Sequence, residues 1–106
     1  MLYTRKFKNF ELIVHVDEKT SMITNATIHD IKRIENLVTF DRHVDMSDES
    51  NNYVSQINHP AYTYDYSPSL RRRLNMLMFM VDKVMTYCNM YYVRTWVVEK
   101  FFKKVS

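Results

Sequence analysis

Leu70, Leu74, Leu77, Val81, Val84, Cys88 and Tyr91 recur at alternating spacings of four and three, which is one apolar stripe down a helix. Met76, Met78, Phe79, Met80 and Met85 widen the stripe until the helix is apolar nearly all round between Met76 and Val81. A helix of that kind belongs against a core, and the rest of the chain has to be laid on it. Carried unbroken over residues 67–105 it would be roughly 55 Å long. A compact domain of this size has a radius of gyration of only about 13 Å. The pattern therefore predicts a break at Thr86-Tyr87-Cys88-Asn89, where Asn89 tolerates a left-handed C-cap. A second helix then buries Val93, Trp96, Val97, Phe101 and Val105. A strand is the competing expectation for residues 91–104, where strand formers are dense.

Upstream, Phe10, Leu12, Val14 and Val16 alternate with Glu11, Ile13, His15 and Asp17, a half-buried strand that starts as early as Tyr3. Asp17-Glu18-Lys19-Thr20 is a polar turn, after which Ser21-Met22-Ile23-Thr24 returns as a short second strand. Either Asn25 or Thr27 can cap a helix, Thr27 with Asp30 as a capping box. Ile28, Ile31, Ile34 or Glu35, and Val38 give a helical face, so a helix is expected over residues 26–37. An acidic stretch follows with Asp41, Asp45, Asp48 and Glu49. Ser47 is placed to cap a short helix ending near Asn58 that buries Tyr53, Val54 and Ile57. Pro60 and Pro68 bracket an extended linker holding Tyr62, Tyr64 and Tyr66.

The expected fold is thus one α+β domain over residues 1–106. An N-terminal β-hairpin (1–24) packs on three to four helices, with helices and an acidic loop over 25–58. The linker covers 59–67, and a long helical region over 68–106 is central.

The chain has no Gly, which excludes Gly-rich phosphate loops, because those need a residue without Cβ where backbone approaches phosphate. Left-handed turn positions then fall to Asn and Asp, with Asn9, Asn25, Asn51, Asn52, Asn58 and Asn89 as candidates. A single Cys forbids an internal disulfide and suits a reducing compartment. No apolar run approaches the ~20 residues that span a bilayer, and no apolar signal segment follows Arg5, Lys6 and Lys8. The expectation is a soluble intracellular protein with no membrane partner.

Little in the chain points to catalysis. Asp41, His43 and Asp45 alternate and on an extended backbone aim the same way, as ligands of a divalent metal do. No second cluster completes such a site. Cys88 paired with His29 or His43 has the residue types of a nucleophile and its base, yet it falls where the apolar stripe needs a small apolar group. We therefore expect no catalytic residue, no metal and no cofactor.

Charge is more informative. The net +3 divides into −3 over residues 1–66 (7 − 10) and +6 over residues 67–106 (8 − 2). Arg71-Arg72-Arg73 stand at a helix start, where the macrodipole prefers anions. A phosphate backbone, an acidic partner surface or the chain's own acidic stretch at 41–49 would each answer them. The leading expectation is a non-enzymatic nucleic-acid-binding protein. It would set Lys32, Arg33, Arg71, Arg72, Arg73, Lys100, Lys103 and Lys104 on phosphates, with little base readout. The alternative is a structural or interaction subunit that docks on a partner protein, or on its own copy, through the apolar helix and its methionines. The tyrosines of the linker serve either to stack bases or to pack the linker on the domain.

The words Phe10-Glu11-Leu12-Ile13-Val14-His15-Val16-Asp17 and Met22-Ile23-Thr24-Asn25-Ala26-Thr27-Ile28 form a strand, a turn and a second strand closed by an Asn-Ala-Thr triplet. In this the first 35–40 residues resemble the opening of the KilA-N/BRO-type domain of large DNA viruses and phages. The resemblance implies a viral or phage DNA-binding protein acting in the host cytoplasm or nucleus, with the triplet capping the helix after the hairpin. The family's Gly/Lys-rich turn is missing, and only Phe40 and Arg42 stand near its aromatic-Leu-Arg segment.

Overall fold

The computed structural model of the chain describes residues 1–42, 53–57, 65–91 and 94–105. In chain order these form β1 (Leu2–Phe7), β2 (Phe10–Val16), β3 (Ile23–Asp30), β4 (Glu35–Arg42), β5 (Tyr53–Ile57), α1 (Pro68–Tyr91), α2 (Arg94–Phe101) and β6 (Lys103–Lys104). The strands lie in one sheet of order β5-β4-β3-β2-β1-β6. The first five make an antiparallel meander, and the two-residue β6 joins its far edge by pairing antiparallel with Tyr3 and Thr4 of β1.

Alternation decides which face is covered. Phe10, Leu12, Val14 and Val16 of β2 are buried, and so are Ile23, Ala26, Ile28 and Asp30 of β3. The register sets Leu12 beside Ile28 and Val14 beside Ala26, with Val38 and Phe40 of β4 continuing the rows. Successive side chains on a strand point to opposite faces, so these residues share one surface. Leu74, Leu77, Val81, Met85 and Cys88 of α1 close over that surface in a single core, joined by Val98 of α2. The other face presents the row Thr4, Ile13, Thr27, Thr39 and Gln56.

The chain is α+β, but it is not a hairpin on three to four helices. Residues 26–37 form the end of β3, a turn at 31–34 and the start of β4, not a helix. Thr24, Thr27 and Ile28 lose χ1 freedom in a helix and pack well on a pleated sheet. The helical spacing of Ile28, Ile31 and Ile34 misled because only Ile28 faces the core; Ile31 and Ile34 sit in the β3–β4 turn, with Ile34 79% exposed. Thr27 and Asp30 therefore form no capping box, and the Asn25-Ala26-Thr27 triplet lies inside β3. The short helix expected from Ser47 is also absent at its C-terminal end, where β5 pairs with β4. Asn51, Asn52, Asn58, Pro60, Tyr62 and Tyr64 lie outside the described residues.

The expected break at Thr86–Asn89 does not occur, and α1 continues to Tyr91, about 36 Å in all. The helix stays unbroken over the stretch whose Leu74, Leu77, Val81, Met85 and Cys88 pack on the sheet. Within it Val84 gives up its expected core place to Met85, being 37% exposed against 2%. At the C-terminus the helix wins over residues 94–101, and among the described residues the only strand there is the two-residue β6 that follows it. Val98 is its buried residue among those described, while Phe101 (49%) and Val105 (58%) are exposed and not in the core as expected. Left-handed backbone falls on Lys8 (φ 52°), Ser21 (φ 62°) and Ile34 (φ 56°), not on Asn9, Asn25 or Asn89.

Candidate functional site

Three segments far apart in sequence meet at one end of the sheet. The β1–β2 turn consists of Lys8 and Asn9, closed by the pairing of Phe7 with Phe10. The β3–β4 turn spans residues 31–34 and is tied by the Ile34 N–H to the Asp30 carbonyl at 2.8 Å. The start of α1 follows Ser67, whose Oγ accepts the Leu70 N–H at 3.3 Å as an N-cap, and Pro68 takes the first helical position, where its missing N–H costs nothing.

Asn9 joins all three. Its carbonyl accepts the Ile31 N–H at 3.1 Å, and its Oδ1 accepts Arg73 Nη1 at 2.9 Å. Beneath it lies a buried polar knot. Asp30 is 3% exposed, its Oδ1 accepts the Arg33 N–H at 2.9 Å, and its Oδ2 accepts the Tyr66 hydroxyl. Tyr66 sits edge-on to Phe10 with centroids 5.9 Å apart, and the Arg33 guanidinium lies 5.5 Å from its ring centre. Arg33 Nη2 reaches Asp65 at 3.1 Å and its Nε reaches Glu35 at 3.6 Å. The hydrogen bond to Asp65, and the charge of Glu35, raise the guanidinium pKa above its ordinary value. Tyr66 is likewise raised, by burial first and then by its bond to Asp30.

This geometry sorts the eight cations singled out in the sequence. Lys32, Arg33, Arg71, Arg72 and Arg73 come together at this end. Arg33 is committed to Asp65 and Glu35, and Arg73 to Asn9, so both hold the turns in place. Lys32 and Arg72 are exposed, and among the described residues neither makes an ion pair. Lys8, which the sequence reading missed, is exposed in the β1–β2 turn. The alternation that carries β1 and β2 ends at this turn, and that is the signal that would have found it. Lys100, Lys103 and Lys104 lie elsewhere. Lys100 Nζ is 5.9 Å from the Phe101 ring centre, and Lys103 pairs with Thr4 on the β1 edge. From Thr4 to Lys8 is four residues of strand, about 13 Å.

The remaining candidates carry no site. Among the described residues no group of three His, Cys, Asp or Glu side chains is placed to hold a metal. Asp41 is exposed on β4, and His43 and Asp45 lie outside the described residues. Cys88 is buried in the core, and burial pushes its thiol pKa up to about 11, the wrong direction for a nucleophile. Tyr66 packs on the domain rather than standing free to stack. No described helix is long and apolar enough to cross a membrane. Neither a protein-family model, nor a curated protein, nor a solved structure matches this chain.

Proposed function

We propose that the protein binds nucleic acid non-enzymatically, contacting phosphates through Lys8, Lys32 and Arg72, with Arg71 beside them. The observation that carries this reading is the meeting of two sheet turns and a helix start at one end of the fold, held together through Asn9. Each brings an exposed cation to that end, and two further cations, Arg33 and Arg73, are spent on fixing the turns. Presenting several like charges on short, braced turns costs stability through self-repulsion, and a polyanion relieves it. The backbone N–H groups at the start of α1 suit the same charge. Lys103, about 13 Å along β1, extends the track over roughly four phosphates of one strand, with Lys104 one residue further on.

The test is a Lys8→Ala/Lys32→Ala/Arg72→Ala variant measured against a labelled duplex and a labelled single strand. All three side chains are exposed, so the fold is expected to survive. Loss of three phosphate contacts flattens the log–log salt dependence by nearly three. Binding and slope equal to the parent's would remove this end of the sheet as the site.

A second reading rests on a different surface. Met76, Phe79 and Tyr87 of α1 are 64%, 67% and 54% exposed, which is large apolar area to leave in water. It favours docking on a partner protein or on a second copy. Sedimentation of the parent and of Phe79→Glu separates the two readings: a mass above the monomer that the variant abolishes supports the second.

A further inference from the structure

Between the sheet and the two helices lies an apolar cleft, on the far side of α1's midpoint from the cation cluster. It encloses about 290 Å³. Its floor is buried core, formed by Leu12, Val14, Val81 and Val98. Its rim is exposed, with Phe101 at 49%, Val84 at 37% and the Arg5 side chain open to solvent. The rim stays open because β6 pairs only with Tyr3 and Thr4, which leaves the β1 edge from Arg5 onward without a strand partner among the described residues.

Among the described residues that line the cleft, Arg5 is the one charged side chain. Its guanidinium carbon lies 5.1 Å from the Phe7 ring centre and 5.9 Å from that of Phe101, and its Nη1 donates to the Phe101 carbonyl at 3.4 Å. The two rings flank the group and the Phe101 carbonyl tethers it. A guanidinium carries five N–H donors, and among the described residues no carboxylate pairs with this one. An oriented, unmatched cation at the mouth of an apolar cleft fits a ligand with an apolar body and a single anionic head.

Size narrows the class. An apolar cavity of about 150 Å³ holds one benzene ring, or six carbons, so 290 Å³ holds about eleven. We propose that the cleft binds a medium-chain monocarboxylate, its alkyl chain on the Leu12–Val14–Val81–Val98 floor and its carboxylate on Arg5. The proposal does not rest on the nucleic-acid reading, since Arg5 is none of the cations assigned to phosphate there, and Arg5→Gln is read on decanoate against decanol alone. Planar pairing with a carboxylate is what arginine does better than lysine, which gives the proposal a specific variant.

The experiment is a titration of the whole chain with decanoate, followed by methyl ¹H–¹³C NMR shifts, with decanol as the uncharged control. The expected result is saturable binding with a dissociation constant on the order of 100 µM, the strength a dozen heavy atoms give at modest ligand efficiency. Shifts concentrate on Val81, Val84 and Val98. Arg5→Gln weakens decanoate about tenfold and leaves decanol unchanged; Val84→Trp, which fills the rim from an exposed position, abolishes both. Arg5→Lys recovers only part of the loss. No saturation by decanoate at millimolar concentration overturns the proposal, as it would if the cleft instead receives a partner protein's side chain. Equal affinity for decanol and decanoate, or shifts that Val84→Trp leaves in place, overturns it as well.

Discussion

The Tyr66 hydroxyl donates to the Asp30 carboxylate inside the fold, while the other oxygen of that carboxylate accepts the Arg33 backbone N–H at 2.9 Å. Asp30 lies at the end of β3 and Tyr66 just before α1, so one bond pins the helix start to the β3–β4 turn across 36 residues of chain. Together with the Asn9 bonds that bring in the β1–β2 turn, that join holds the cation cluster in place.

Tyr66→Phe keeps the ring against Phe10 and removes only the donor. The carboxylate of Asp30, 3% exposed, is then left short of a partner. The expected cost is about 2–3 kcal/mol, read from the urea midpoint at unchanged slope. A loss below about 0.5 kcal/mol, the level of an ordinary surface change, would mean that the hydroxyl is not held as described.

The same bond sets an alkaline limit. Burial and the bond to Asp30 raise the Tyr66 phenol above its ordinary pKa of 10. A raised folded-state value means that the stabilisation is complete below the unfolded phenol's pKa of about 10, and is lost as pH rises beyond it. Stability of the parent is therefore expected to fall more steeply above pH ~10 than that of Tyr66→Phe. The difference between the two denaturation curves isolates Tyr66 from the lysines titrating in the same range. Parallel curves would contradict the assignment.

Much of the strand pattern was legible. Phe10–Val16 alternates strictly and became β2, and the Leu74–Leu77–Val81–Cys88 stripe became the inner face of α1. What misled was local periodicity with two solutions. Ile28, Ile31 and Ile34 satisfy a helical spacing, and Ile28 with Ala26 equally satisfies a strand; only the partner strands β2 and β4, which pair with β3 on both sides, decide for the sheet. In sequence Asp30 fits half of a capping box. Its carboxylate does cap a backbone N–H three residues on, but in a turn. The clustering of cations from turns 24 and more residues apart, and the cleft at Arg5, are tertiary facts with no signature along the chain.

Ile34 offers a way to stabilise the protein. A β-branched residue at φ 56° is disfavoured by roughly 1–2 kcal/mol, and at 79% exposure it recovers little through packing. Ile34→Gly is expected to raise stability by about 1 kcal/mol, after the extra entropy of Gly in the unfolded chain is deducted. Thermal melting checks it. A lower midpoint would show that the β3–β4 turn relies on the Ile34 side chain.

Cys88 should behave as a buried apolar group. With its thiol raised to about 11 by burial, a disulfide reagent at pH 8 is expected to react at least about 100-fold more slowly than with the urea-unfolded chain. Cys88→Ala should cost about 1–2 kcal/mol as a small cavity. Reaction at the unfolded rate would place the thiol outside the core.

The central claim, that the braced turns hold a phosphate site, is tested most directly by fluorescence anisotropy of labelled duplex and single strand at ~50 and ~200 mM salt. Four phosphate contacts give a log–log slope near −3.6 on duplex, so affinity is expected to fall on the order of 100-fold across that range. Binding with that slope, flattened in the Lys8→Ala/Lys32→Ala/Arg72→Ala variant, is the predicted result. No binding to either strand at ~50 mM salt would contradict it and leave the exposed Met76–Phe79 face of α1 as the surface to pursue.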